Sequence, residues 1–310
     1  MKAFTYIAIS LCVVTSLILI LNADNTTQDI TNTSLKTQQN IEQFEHEKIT
    51  EPQPITNALP TQSKHTKQSL LIEITKPKWR FEDDIKSQLS ALKLRAKSGD
   101  AEASYLLARN FRYCLFAPLN EQMFEDKLEQ TYQFTDSNVA IERVREQYTY
   151  CQGLESENLN AFYTYLETAA TQGFVPAQET LGHVTAEFYM QSQGYASLSR
   201  DDYIATRNAF TTQKLALLEQ AGKKGSIDAL IQLSNLHHSQ NAGKFGHVKS
   251  FALNQLITQF INNDEIYNRF SRFVNRQYDR LTAEEHDKAS ELLEQWSTDI
   301  YKNGTLYQNN

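Results

Sequence analysis

Three regimes of hydrophobic patterning divide the chain. From Ala3 to Leu21 the residues are apolar except for Thr5, Ser10, Thr15 and Ser16, and no charge interrupts the run. As a helix rising 1.5 Å per residue, such a run just spans a hydrocarbon core of roughly 30 Å. Residues 23–78 are rich in Thr, Gln and Asn, lack Gly, and hold one aromatic residue, Phe44, and four of the six prolines. Too little apolar surface is present there to offset the entropy of ordering, which predicts a flexible linker. Leu70-Leu71-Ile72-Glu73-Ile74 is the exception and predicts a short strand or a docking segment. From residue 79 onward apolar residues recur at helical spacing, and no stretch sustains the period of two that a half-buried strand needs. The expected body is all-α.

Within that body the polar positions mark helix ends. The pattern predicts helices over Glu121–Phe134 and Val139–Tyr150. Ser199-Arg200-Asp201-Asp202 reads as the N-cap of a long helix, and Thr282-Ala283-Glu284-Glu285 as a capping box for the last one. That last helix is expected to run through Leu292, Leu293 and Trp296 to about Lys302. The layout is an apolar segment at 1–22, a linker at 23–78, a helical body at 79–302 and a tail at 303–310.

One recurrence organises the body. Gly99, Gly173 and Gly225 are each followed four residues later by Ala103, Ala177 and Ala229, and eight later by Leu107, Leu181 and Leu233. Nine residues after each glycine stands a small residue: Ala108, Gly182 and Ser234. Seven residues before stand Leu92, Leu166 and Leu218, and three before stand Ala96, Ala170 and Gly222. Leu and the small residue fall at i and i+4 on one helical face, and the glycine suits a left-handed cap ending that helix. Asp100, Pro176 and Asp228 suit the start of a second helix, whose Ala and Leu face back. One such pair buries little, so neighbouring pairs must stack.

This pattern resembles the Sel1-like repeat, a relative of the tetratricopeptide repeat. Its carriers are Leu89–Phe111, Tyr163–His183 and Ala216–Leu236. The first departs from the family's alanine pair before the glycine, having Arg95-Ala96; the third has Ala221-Gly222. The copies lie 74 and 52 residues apart, beyond the ~34 residues of one tetratricopeptide-type hairpin. The resemblance therefore implies an irregular α-solenoid with insertions. It also implies a surface that binds a protein or peptide partner.

Charge and cysteine content add the compartment. The 310 residues carry a net charge of −7, and residues 1–78 are neutral with seven basic and seven acidic groups. A pI near 5.6 argues against a nucleic-acid partner. Lys2 precedes the apolar run, and the next positive charge is Lys36, so the positive-inside rule places the body outside the cytoplasmic membrane. An uncleaved anchor is expected; a cleaved signal peptide is the alternative, with Leu21-Asn22-Ala23 a poor cleavage site. In either case the body is exported, with the periplasm the expected compartment. There Cys114 and Cys151, flanking the first insertion, are expected to form a disulfide, the alternative being two buried thiols. Their spacing is far from Cys-x-x-Cys, which argues against redox catalysis.

Candidate chemistry is sparse. Arg269, Arg272, Arg276 and Arg280 fall three and four residues apart and form one stripe. Guanidinium groups so arranged can hold carboxylates, phosphates or anionic glycans bidentately, or can simply pair with Asp264, Glu265, Asp279 or the acidic last helix. His237, His238 and His247 cluster, but adjacent histidines point about 100° apart on a helix and no further ligand stands at a metal-site spacing. The many Tyr and Phe residues fall at repeat positions and read as core. No phosphate loop, nucleophile elbow or metalloprotease motif is present, and no cofactor is expected. The expectation is a non-catalytic interaction module. An envelope enzyme acting on cell-wall material, with the helices as substrate cradle, is the alternative.

Overall fold

The computed structural model describes residues 71–135, 137–239 and 245–308. The apolar segment Ala3–Leu21 and the linker up to residue 70 lie outside the described residues. Among those described, no helix is long and apolar enough to cross a membrane.

The body is all-α, about a dozen helices packed in sequential pairs, with one minimal two-stranded sheet. The first pair is α1 (Ile85–Lys97) and α2 (Ala101–Cys114). An inserted hairpin follows, α3 (Glu121–Phe134) and α4 (Asn138–Cys151), then the short α5 (Ser156–Asn160). The second pair is α6 (Phe162–Thr171) and α7 (Val175–Gly182), followed by the short α8 (Ala186–Ser192). The third is the long α9 (Arg200–Lys223) and α10 (Ile227–His238). The last three helices are α11 (Gly246–Phe260), α12 (Asp264–Tyr278) and α13 (Ala283–Asn303).

The three glycine joints share one construction. Gly99, Gly173 and Gly225 all have left-handed backbones, with φ of 92°, 83° and 85°. Each closes its helix with the same two bonds. Gly99 N–H donates to Ala96 O and Asp100 N–H to Arg95 O; Gly173 and Phe174 donate to Ala170 and Ala169; Gly225 and Ser226 donate to Gly222 and Ala221. This doubly bonded left-handed ending satisfies carbonyls that a helix terminus would otherwise leave unpaired. The next helix starts on a side-chain cap in two cases, Asp100 accepting from Ala103 N and Ser226 from Ala229 N. In the third joint Pro176 in the first turn serves instead. Ser226, rather than Asp228, is thus the cap of α10. The repeat leucines Leu107, Leu181, Leu218 and Leu233 and alanines Ala103, Ala177 and Ala229 are all fully buried.

Successive pairs join through one rule: the second helix of a pair packs on the first helix of the next. So α2 meets α6, α7 meets α9, and α10 meets α11. α11 also packs on α12 and α13. This last group carries no recurrence, because its joint at residues 261–263 is Ile-Asn-Asn, with Asn263 capping α12 by accepting from Ile266 N. Two main cores result. One gathers Leu92, Leu107, Phe111, Phe162 and Leu166; the other gathers Leu218, Leu230, Leu233, Leu256 and Phe270.

The inserted hairpin is stapled at its base by a disulfide between Cys114 and Cys151, with Cα atoms 5.6 Å apart. It joins the last residue of α2 to the last residue of α4.

The residues assigned above to the end of the linker and to the tail are part of the body. β1 (Ile72–Glu73) pairs in parallel with β2 (Thr305–Leu306). Tyr307 extends the contact, donating to Gly225 O and accepting from Ile227 N. Beyond β1 the strap continues across the body. Lys76 pairs with Glu179 at 2.8 Å, Trp79 O accepts from Asn110 Nδ2 at 2.8 Å, and Phe81 N donates to the Tyr150 hydroxyl at 3.1 Å. Asn110 is fully buried, so its bonds to Trp79 O and Leu106 O fix the strap against α2 without exposing a polar group.

Gly225 carries an added constraint. A Cβ there would sit 2.1 Å from Thr305 O, whereas a Cβ at Gly99 would meet nothing within 4 Å. Gly99→Ala is therefore expected to cost only the left-handed backbone term, about 1 kcal/mol. Gly225→Ala adds a collision with β2 and is expected to cost about 2–3 kcal/mol. Urea unfolding of the two variants checks this; equal losses would show that the strand moves away freely.

Candidate functional site

The stripe predicted on α12 is present and unneutralised. α12 turns Phe270 fully inward, with Ile266 half-buried and packed on the same core, while Arg269, Arg272, Arg276 and Arg280 are exposed. Arg280 lies in the turn beyond the helix, so three of the four are helical. Arg269 rests over the Phe270 ring at 5.0 Å, and Arg272 Nε donates to Asn268 O at 3.1 Å. Among the described residues none of the four makes an ion pair, with Asp264, Glu265, Asp279 or α13. Among the described residues the pairing with those carboxylates does not form, and the four side chains face solvent.

Arg276 and Arg280 look onto a cavity of about 260 Å³ where α10, α11 and α12 meet. His238 and Phe273 line it too. Its floor is polar but internally satisfied. Ser234 Oγ donates to Asn254 Oδ1 at 2.6 Å, and Asn254 Nδ2 donates to Gln277 Oε1 at 2.8 Å. A neighbouring depression of about 480 Å³ shares His238, Gln277 and Arg280. Half of the stripe thus belongs to a concave, cationic face, and Arg269 and Arg272 stand outside it.

The histidines serve separate structures. His247 Nε2 lies 2.7 Å from Glu285 Oε1, His237 is buried, and His238 faces the cavity just described. Among the described residues no group of three or more His, Cys, Asp or Glu side chains could hold a metal.

A second polar cluster was not foreseen. It joins the strap, α7 and α10. Glu179 of α7, 5 % exposed at its side chain, pairs with Lys76 and accepts a hydrogen bond from Ser226 Oγ at 2.6 Å. His183 Nε2 lies 3.1 Å from Asp228 Oδ2, and Gln232 Nε2 donates to Asp228 Oδ2 at 2.9 Å and to Glu179 O at 3.1 Å. Burial raises the Glu179 carboxyl above the ordinary carboxylate range, against the lowering effect of Lys76. Burial also works to raise Asp228, but His183, Lys76 and Gln232 hold it below its ordinary value. The hydrogen bond to Asp228 raises His183, against desolvation.

A Ser–His–Asp arrangement would place a hydroxyl on the imidazole. Ser226 directs its hydroxyl to Glu179 and accepts the Ala229 N–H, so it is not placed against His183. The cluster is a clamp that locks the strap to the joint between the second and third pairs.

The aromatic residues divide. Phe111, Tyr150, Phe162 and Tyr163 are core, as expected, but Phe116 and Phe134 are 68 % and 77 % exposed. Trp79, Tyr105, Phe162 and Phe188, whether core or half-buried, also lie beside two arginines of α2, Arg109 and Arg112, which sequence spacing did not single out. No protein-family model matches this chain, and no curated protein or solved structure matches it either.

Proposed function

We propose that this chain is a non-catalytic interaction module of the cell envelope, an irregular solenoid of Sel1-like hairpins that binds a protein or peptide partner. Three identical glycine joints with stacked pairs support the repeat reading. The observation that carries the functional one is the concave face at α10–α12, where Arg276 and Arg280 line a cavity without a carboxylate counter-ion among the described residues. Exposed guanidinium groups left unpaired by their own protein favour a negatively charged partner surface. The apolar run at Ala3–Leu21 would hold the body on the outer side of the cytoplasmic membrane, in the periplasm, as a single-pass protein.

Cross-linking of the tagged full chain in its own cells, with mass spectrometry, tests this reading. A discrete partner is expected, and its yield should fall at least tenfold in Arg276→Glu/Arg280→Glu. A partner retained in full by that variant would remove the α12 face from the reading. No partner above background would end the interaction module itself.

A further inference from the structure

A second groove lies at the other end of the body, between α2, α6 and the turn joining α7 to α8, with a volume of about 530 Å³. It is larger than the cavity at α12, and no Asp or Glu lines it. Its cationic wall is Arg109 and Arg112, one helical turn apart on α2. Its accessible apolar wall is formed by the half-buried Val184 and Phe188, while Phe162 and Leu166 border it as buried core residues.

The two guanidinium groups are held by their faces. Arg112 lies 4.2 Å from the centroid of Phe188 and 6.0 Å from that of Phe162. Arg109 lies 5.0 Å from the centroid of Trp79, and its Nη1 donates to the Tyr105 hydroxyl at 3.2 Å. Neither makes an ion pair among the described residues. A guanidinium engaged through its π face keeps its in-plane N–H groups for a carboxylate, and stacking reduces the rotamer entropy lost on binding. In a chain of net charge −7 this groove is a local reversal of sign.

We propose that this groove binds an acidic peptide segment that carries an aromatic or aliphatic side chain beside its carboxylates. The carboxylates would take the in-plane edges of Arg109 and Arg112, and the apolar side chain would lie against Val184 and Phe188. A lipid headgroup or an anionic glycan could use the arginines but would leave the apolar wall uncovered. The proposal is independent of the α12 face.

Fluorescence anisotropy of the full chain in non-ionic detergent tests it, with a fluorescein-labelled peptide of Glu-Glu-Phe units as probe. Saturable binding is expected, weakening at least tenfold in Arg109→Gln/Arg112→Gln and changing less than twofold in Arg143→Gln/Arg145→Gln on the inserted hairpin. Arg112→Lys keeps the charge but loses the planar fork, and should weaken binding several-fold; it carries the test should the double variant fail to fold. Four results would overturn the proposal: no saturable binding, equal binding of a Gln-Gln-Phe counterpart, equal binding by the Arg109→Gln/Arg112→Gln chain, or arginine-dependent binding to phosphatidylglycerol vesicles with none to the peptide. Each would leave the capture of a partner in cells standing, since that is read separately.

Discussion

Lys76→Met is expected to destabilise the body by about 3–5 kcal/mol at pH 8 and by much less at pH 4. The cause is the carboxylate it would abandon. Glu179 is 5 % exposed, and Lys76, at 2.8 Å, is its one ion-pair partner among the described residues. Removing a single member of a buried pair costs more than the pair itself contributes, because an uncompensated charge stays in a poorly solvating site. The pH dependence follows from the raised Glu179 carboxyl. Below about pH 4.3, the ordinary glutamate value, the group is protonated in folded and unfolded chains alike and needs no counter-ion. As pH rises past that value the unfolded chain gives up the proton first, and stability falls until the folded carboxyl ionises too. Loss of Lys76 pushes the folded value higher and widens that window. Urea titrations of both chains at the two pH values measure the effect. A difference that does not change with pH would show that the lysine acts through packing of its stem. Lys76→Met/Glu179→Gln should recover most of the loss, since no charge is then left buried.

Removal of the disulfide is the second large effect. Cys114→Ala/Cys151→Ala is expected to cost about 4 kcal/mol by the loop-entropy relation for a separation of 37 residues. For a body of this size that corresponds to a fall in Tm of about 8–16 °C. The loss should be local at first. α3 has no fully buried side chain, and its principal helix contact is α4, where Phe124 stacks on Tyr148 at 4.4 Å. The staple thus does for α3 what burial does for α4 and the other helices. Hydrogen exchange should show α3 losing protection in the variant while α6 and α7 keep theirs. Uniform loss across the body would instead make the hairpin part of the global folding unit.

What the sequence revealed depended on the range of the physics involved. The left-handed caps at Gly99, Gly173 and Gly225 were legible because a glycine with fixed apolar neighbours acts within a few residues of itself. The joint at residues 261–263 was not, because α11 ends at its cap, Ile261, and Asn263 starts α12 with no glycine between them. The spacing of Arg269, Arg272, Arg276 and Arg280 was visible, but their lack of carboxylate partners depends on which elements lie alongside α12. Arg109 and Arg112 went unremarked for the same reason: the Phe188 ring that orients Arg112 stands 76 residues further on. The run Leu70–Ile74 was readable as a strand, yet its partner Thr305 lies more than 200 residues away. A two-residue strand has no period to announce it.

That parallel pairing also imposes a timetable. Ile72 is synthesised more than 200 residues before Thr305. The strap cannot be pinned until β2 has emerged, even though the glycine-jointed hairpins can each close as soon as their own helices are complete. A chain cut short before β2 could assemble its helical pairs yet leave β1 an open edge and Gly225 O without the Tyr307 N–H. β2 works as a latch, and an unlatched body marks a chain cut short before it.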